Sequence, residues 1–313
     1  MRTCDVAIIG AGPAGIAAGI QLLRCGFRPM LFDERAAGGL LWNAHRVENY
    51  PGFPGGISGP RLARRMVRQL LQTGGVVHHG RVTSVDIEAH VDTDADWNLP
   101  RDFRLRTPLG EIETQTVVIA TGTKPRSVTD VEISEDAKDR IFRHVWPMRR
   151  IRGREIAIIG AGDAAFDYAL TLARHNDVLI VQRSASPRCL PLLREQVADQ
   201  RRVRILREHS LLSVSSHGAC LRLTLGSEEG IDALTVDRVV IATGREPNLS
   251  LLSQRVLDQR DALTTSKRLF LSGDVVRGLS RQASIAVGDG VLAAMTISRL
   301  RDVRQAEQGC GHQ

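Results

Sequence analysis

No Cys-x-x-Cys occurs in this 313-residue chain. Its five cysteines, Cys4, Cys25, Cys189, Cys220 and Cys310, are odd in number and show no metal-ligand spacing, so neither a zinc site nor a disulfide framework is expected and the thiols read as reduced. Cys310 stands apart in a polar Gly309-Cys310-Gly311-His312 tail, where a thiol beside a histidine could be redox-active. Lysine is almost missing: Lys124, Lys138 and Lys267 are the only three, so 39 of the 42 basic residues are arginine, and the net charge is +7. Aromatics make up 4%. The arginines read as scattered, with short clusters at Arg149-Arg150 and Arg201-Arg202, and no basic helix or aromatic-interleaved patch supports nucleic acid as a partner. An arginine-rich surface suits an acidic protein partner instead. No stretch reads as long and apolar enough to span a bilayer. The N-terminal apolar run is interrupted by Gly and Pro and makes no signal peptide. A cytoplasmic protein is therefore expected.

What the chain does have is a pair of glycine fingerprints. Gly10-Ala11-Gly12-Pro13-Ala14-Gly15 follows the apolar run Val6 to Ile9, and Gly160-Ala161-Gly162-Asp163-Ala164-Ala165 follows Ile156 to Ile159. Each opens an apolar-periodic stretch, so each reads as strand, tight turn and helix start, the context that lifts such a match above noise. A second repeat accompanies the first: Val117-Val118-Ile119-Ala120-Thr121-Gly122 recurs as Val239-Val240-Ile241-Ala242-Thr243-Gly244. Each copy closes a segment opened by a fingerprint, and Pro-containing exits follow at Lys124-Pro125-Arg126 and Arg245-Glu246-Pro247-Asn248. The expected fold is α/β with two Rossmann-like dinucleotide-binding domains. One is discontinuous, residues 1–124 and 247–313, and the other, 125–246, is inserted into it.

Rossmann geometry places an acidic side chain at the end of the second strand, where it bonds the ribose hydroxyls. Eighteen residues past Gly15 stands Asp33, followed by Glu34, so the first site wants an unphosphorylated adenosine ribose, as FAD or NAD supplies. The same count from Ala165 reaches Arg183, with Arg188 five residues on. Guanidinium groups there suit a ribose 2′-phosphate, which points to NADPH over NADH. Ala165 in the third fingerprint position is an allowed variant.

Beyond the fingerprints, Gly38-Gly39-Leu40-Leu41, Val47-Glu48-Asn49-Tyr50-Pro51-Gly52-Phe53-Pro54, Gly56-Ile57-Ser58-Gly59-Pro60, and Ser272-Gly273-Asp274 with Arg281-Gln282-Ala283 complete a pattern. Over nearly its whole length the chain resembles the low-molecular-weight thioredoxin reductase family of FAD/NADPH flavoproteins. The resemblance implies FAD in the discontinuous domain, held by Gly10, Gly12, Pro13, Ala14, Gly15, Asp33, Glu34, Gly39, Leu40, Asn49, Val82, Ala120, Thr121, Gly122, Gly273, Asp274, Arg281, Gln282 and Ala283. It implies NADPH in the inserted domain, at Gly160, Gly162, Asp163, Ala164, Ala165, Arg183, Arg188, Ala242 and Gly244. A helix from about Ile285 would point its N-terminus at the flavin. A homodimer is expected as well.

The chain departs from that family at one place. The family carries its redox Cys-x-x-Cys some fourteen residues before the second fingerprint, where this sequence reads Arg143-His144-Val145-Trp146. No cysteine lies between Cys25 and Cys189. His144 and Trp146 are the candidate catalytic residues, as proton donor and flavin cover, against the alternative that both are packing residues. Three functions follow: hydride transfer from NADPH to FAD and on to a ferredoxin- or flavodoxin-type protein; oxidation of a small biosynthetic substrate; or nucleotide sensing without turnover.

Overall fold

The computed structural model describes residues 2–88 and 102–310, with side chains through residue 302. Cys310 and the tail after it lie outside the described side chains. Chain contacts divide the protein into two compact units: Met1–Trp42 with Glu48–Lys124 and Pro247–Gln313, and Asn43–Val47 with Pro125–Glu246. The chain thus crosses at the two Pro-containing exits. Asn43–Val47, inside the expected 1–124 segment, belongs to the second unit instead. His45 N–H donates to Asp167 Oδ2 at 2.8 Å, and Asn43 Oδ1 accepts the Trp146 N–H at 3.1 Å.

The first unit is built on a five-stranded parallel sheet in the order Leu269–Leu271, Thr116–Ile119, Val6–Ile9, Pro29–Asp33, Val77–His79. Its central strands are continuous apolar runs, with Ala7, Ile8, Val117, Val118 and Ile119 wholly buried. Such runs are what a parallel sheet covered on both faces requires. The second unit repeats the plan with Ile141–Phe142, Arg238–Ile241, Glu155–Ile159, Asp177–Val181 and Val203–Leu206. Each unit also carries a separate four-stranded sheet.

The duplication is geometric as well as textual. Ile9 pairs with Ile119, and Ile159 with Ile241. Ala120 N–H donates to the Ile9 carbonyl and Ala242 N–H to that of Ile159, both at 2.8 Å. Gly10 N–H reaches the Phe32 carbonyl at 2.8 Å, and Gly160 N–H that of Val181 at 3.0 Å.

Two sequence expectations are corrected here. The first concerns membrane-length apolar stretches. Within the helix Ala283–Cys310, the part Ala283–Asp302 is 20 residues with mean hydropathy 1.3, long and apolar enough to cross a bilayer by those measures. In the fold one face of it packs on the fingerprint helix Pro13–Arg24, with Ala294 and Ile297 in one core cluster with Ile16, Ala18 and Leu22. A Cβ on Gly290 would lie 2.1 Å from the Ala14 carbonyl oxygen. Because that neighbour is backbone, Gly290→Ala is expected to destabilise the first unit by about 1–3 kcal/mol. Thermal denaturation should show it as a fall of several degrees, at about 2–4 °C per kcal/mol.

The second correction concerns a basic helix. The helix Gly59–Gln72 holds Arg61, Arg64, Arg65 and Arg68 exposed on one side, while Leu62, Ala63 and Leu70 are buried on the other. Helical spacing i, i+3, i+4, i+7 gathers arginines that look scattered along the chain.

Candidate functional site

Not all the glycines of the first fingerprint do the same job. Gly10 has φ +104°, and a Cβ there would lie 2.3 Å from the Ala120 carbonyl oxygen. A Cβ on Gly15 would lie 1.8 Å from the Gly10 carbonyl oxygen. These two let helix and strands approach one another. Gly12 is different: it is the N-cap of Pro13–Arg24 with ordinary backbone angles, and a Cβ there meets nothing nearer than Gly39 Cα at 3.9 Å. The helix that follows has Pro13 in its first turn, no acidic residue there and no side-chain cap. Its N–H groups and its dipole are left for an anion, so a pyrophosphate fits.

Three of the segments predicted for FAD converge on that helix end. Ala14, Ala120 and Ala286 form a small cluster, and a Cβ on Gly273, φ +80°, would be 2.9 Å from the Ala14 Cβ. Thr121 Oγ1 donates to the Asn248 carbonyl at 2.6 Å, and Gly122 sits at φ +61°. Gly39, φ +58°, opens the short 3-10 turn Gly39–Asn43, with half-buried Leu40 next to it. Asn49 Nδ2 donates to Gln282 Oε1 at 2.5 Å, which joins the two segments expected around the flavin ring. The long helix begins at Ala283, after half-buried Arg281 and Gln282, two residues ahead of the Ile285 start expected. Asp274 lies in the 3-10 turn Gly273–Val275, and Val82 is buried in the core cluster beneath.

Asp33 closes the strand Pro29–Asp33 beside the fingerprint loop. Its Oδ2 accepts the Ala11 N–H at 2.6 Å and its Oδ1 the Arg35 N–H at 2.8 Å. Each carboxylate oxygen keeps further accepting capacity for a ribose hydroxyl. Burial pushes its pKa above the ordinary aspartate value, while the two backbone N–H groups pull the other way. With the folded pKa raised, the group favours folding below its unfolded pKa, and that contribution is lost as pH rises through the folded value. The two backbone N–H groups thus offset part of the cost that burial puts on the carboxylate. Asp33→Asn is expected to weaken FAD at least tenfold at pH 7, since hydrogen bonds to a charged group contribute about 1.5–3 kcal/mol. The parent protein is also expected to release FAD as pH falls and Asp33 takes up a proton, a step the variant should lack; fluorescence of released flavin against pH checks both. Glu34 next to it is half-exposed and pairs with Arg35 at 3.4 Å and Arg81 at 3.8 Å.

In the second unit Gly160, φ +145°, again has a carbonyl, that of Ala242, 2.5 Å from where its Cβ would be. Gly162 caps the helix Asp163–Leu172 and has nothing within 4 Å of such a Cβ. Ala165 is buried, Ala164 exposed, and Gly244 stands at φ +116° past the strand end. Asp163 is turned toward the adjoining loop, its Oδ1 accepting the Leu190 N–H at 2.8 Å. Arg188 N–H donates to the Ala161 carbonyl at 2.8 Å, and Arg188 is bridged to Gly162, so this loop folds back along the fingerprint. Both Arg183 and Arg188 are exposed there.

His144 and Trp146 lie on the turn after Ile141–Phe142, and half-buried both. Phe142 pairs with Val240, which carries the turn to the carboxyl end of the sheet, the end where nucleotides bind in such folds. Buried Val145 and Met148 anchor it, and the Arg149 guanidinium lies 4.1 Å from the Trp146 ring centre.

Sequence reading missed two supports. Buried Gln182 donates through Nε2 to the carbonyls of Ser184 at 2.7 Å and Ala185 at 3.3 Å, shaping the loop that carries Arg183. Asp289 accepts the Gly273 N–H at 3.0 Å and clamps the Arg277 guanidinium through both carboxylate oxygens. Its standing as the lone charge in residues 283–298 was the available signal for it.

A family model described as pyridine nucleotide-disulphide oxidoreductase matches residues 4–290. The bifunctional thioredoxin reductase/thioredoxin of Mycobacterium leprae is 30% identical over 94% of this chain, which spans 65% of that protein's length. A thioredoxin reductase of Rickettsia conorii is 29% identical over 94% of this chain and 96% of its own. Among solved structures, Lactococcus lactis thioredoxin reductase in the FR conformation superposes with a TM-score of 0.80 at 25% identity, covering 95% of this chain and 98% of that one.

Proposed function

The chain belongs to the pyridine nucleotide-disulphide oxidoreductase family, and from that premise we propose an FAD-dependent NADPH oxidoreductase whose electrons leave without an internal dithiol. The acceptor is a carrier protein of the ferredoxin or flavodoxin kind, or a small molecule. The observation that carries this reading is the interval Arg143–Trp146, where the cysteine pair of the resembling family has no counterpart.

NADPH, when bound, supplies a hydride that FAD accepts, so no side-chain acid or base is needed for that transfer. The protein's part is placement. Helix N-termini after Gly12 and Gly162 receive the two pyrophosphates, Asp33 takes one adenosine ribose, and Arg183 with Arg188 takes the 2′-phosphate of the other. The remaining thiols are poor substitutes for a relay. Cys4 and Cys189 are buried, and Cys25 and Cys220 are half-buried. Burial, and secondarily Asp163, push the Cys189 thiol pKa up, which keeps it protonated. The relatives' name, thioredoxin reductase, fits a protein acceptor; the missing dithiol separates this chain from the relay that serves thioredoxin.

A variant with all five cysteines replaced by serine or alanine tests the reading. Reduction of the flavin by NADPH, and turnover with flavodoxin or a quinone, should stay within about threefold of the parent, a difference below about 0.7 kcal/mol. Loss of nine-tenths of turnover with flavin reduction intact would assign the second half-reaction to a thiol.

A further inference from the structure

The helix Gly59–Gln72 contains four arginines and no acidic residue. Arg61, Arg64, Arg65 and Arg68 are all exposed, and none makes an ion pair among the described residues. The four span about 10 Å along the axis, at 1.5 Å per residue. Their spacing sets like charges against one another at i, i+3 and i, i+4, and Arg61 lies in the first turn, where the helix dipole disfavours cations. Local stability argues against this arrangement, and no acid among the described residues pairs with any of the four. Leu71, 56% exposed, continues the same face three residues beyond Arg68.

Two members of the stripe are tied to the segment expected around the flavin. The Arg64 guanidinium lies 5.3 Å from the Trp42 ring centre, and that of Arg65 lies 5.5 Å from the Phe53 ring centre. Trp42 ends the run after Gly38-Gly39, and Phe53 belongs to Val47–Pro54. The positive face and the proposed flavin cradle are therefore neighbours within one unit.

We infer that this face is the docking surface for an acidic electron-carrier protein, holding a flavin or an iron–sulphur centre, that collects the electrons. The inference rests on the function proposed above and names its partner. Each NADPH gives up two electrons as hydride; two one-electron carriers are reduced, and NADP⁺ and a proton are released. Charge complementarity selects an acidic protein. A second copy related by a two-fold axis through the stripe would set arginine against arginine. A bilayer would need an apolar face to insert, but Leu62, Ala63 and Leu70 are buried in the protein.

The test compares the parent with a quadruple variant, Arg61→Gln, Arg64→Gln, Arg65→Gln and Arg68→Gln, and with the pair Arg61→Gln and Arg68→Gln, which touches no aromatic ring. NADPH-driven reduction of an acidic flavodoxin and an acidic two-iron ferredoxin is measured against ionic strength, with a neutral quinone in parallel. The expected result is a carrier kcat/KM that falls steeply with salt in the parent, drops about 100-fold in the quadruple variant and about tenfold in the pair, while quinone turnover moves less than twofold. Undiminished carrier turnover in the quadruple variant would overturn the docking assignment. So would a parent that reduces the quinone but neither carrier, which leaves the proposed function standing; a parent that reduces only disulfides would overturn that function too. Salt-sensitive binding to phosphatidylserine vesicles, lost in the variant with carrier turnover unchanged, would reassign the stripe to a membrane surface.

Discussion

Gly12→Ala is expected to yield a folded protein that no longer retains FAD, whereas Gly15→Ala is expected to yield one that is unstable before any cofactor is considered. The two glycines stand three residues apart in one fingerprint, and the separation follows from what a methyl group would meet. At Gly15 the new carbon falls 1.8 Å from the Gly10 carbonyl oxygen, and neither helix nor strand can yield without opening the core. Overpacking against backbone is expected to cost about 3 kcal/mol there. At Gly12 the nearest atom is 3.9 Å away and φ is −76°, so alanine is accommodated. Its methyl group then occupies the approach of the pyrophosphate to the helix N-terminus. Losing two charge-assisted hydrogen bonds, at about 1.5–3 kcal/mol each, weakens FAD by at least 100-fold. Thermal denaturation of the apoprotein, paired with flavin fluorescence titration, separates the two variants; equal behaviour would mean that Gly12 is a packing residue as well.

Arg183→Ser combined with Arg188→Ser is expected to reverse nucleotide preference. Both side chains are exposed on the loop between Val181 and Pro191, and backbone contacts from Arg188 to Ala161 hold that loop along the second fingerprint. A guanidinium that pairs a phosphate contributes about 1.5–3 kcal/mol, so the double variant should lose at least about 100-fold in kcat/KM for NADPH. NADH carries no 2′-phosphate, and its kcat/KM should change by less than about threefold, or 0.7 kcal/mol. Gln182→Ala should produce a weaker version of the same loss, because the loop it braces would loosen while both arginines remain. A parent protein reduced faster by NADH would remove the phosphate role from these arginines.

These positions were legible in the sequence because Rossmann geometry is a counting constraint. The strand after each fingerprint helix must return to the same level of the sheet, so eighteen residues past Gly15 and Ala165 locate Asp33 and Arg183 at strand ends. The paired Ala-Thr-Gly segments were legible for the same reason. What escaped depends on tertiary proximity or on a different period. Asp289 acts on Gly273 across a turn and a half-dozen intervening loop residues, so its place as a lone charge in an apolar run marks the acid but not its partners. The apolar stretch Ala283–Asp302 was hidden by Asp289 and Arg299, which punctuate it on the written page yet leave its mean hydropathy high. Arg61, Arg64, Arg65 and Arg68 look dispersed along the chain because helical spacing, not adjacency, gathers them on one face. The few residues Asn43–Val47 went to the other unit through hydrogen bonds to Asp167 and Trp146 that no boundary residue foretells.

The missing dithiol is the claim on which the functional reading turns, and electron counting tests it most directly. Anaerobic titration of the FAD-loaded protein with NADPH, followed through the flavin absorbance, reports how many electron pairs the protein takes up. One equivalent of NADPH per FAD, with no thiols gained on reduction, is the result predicted for a flavin that hands its electrons straight to an external acceptor. A second equivalent taken up, with two new thiols titratable after reduction, would contradict it.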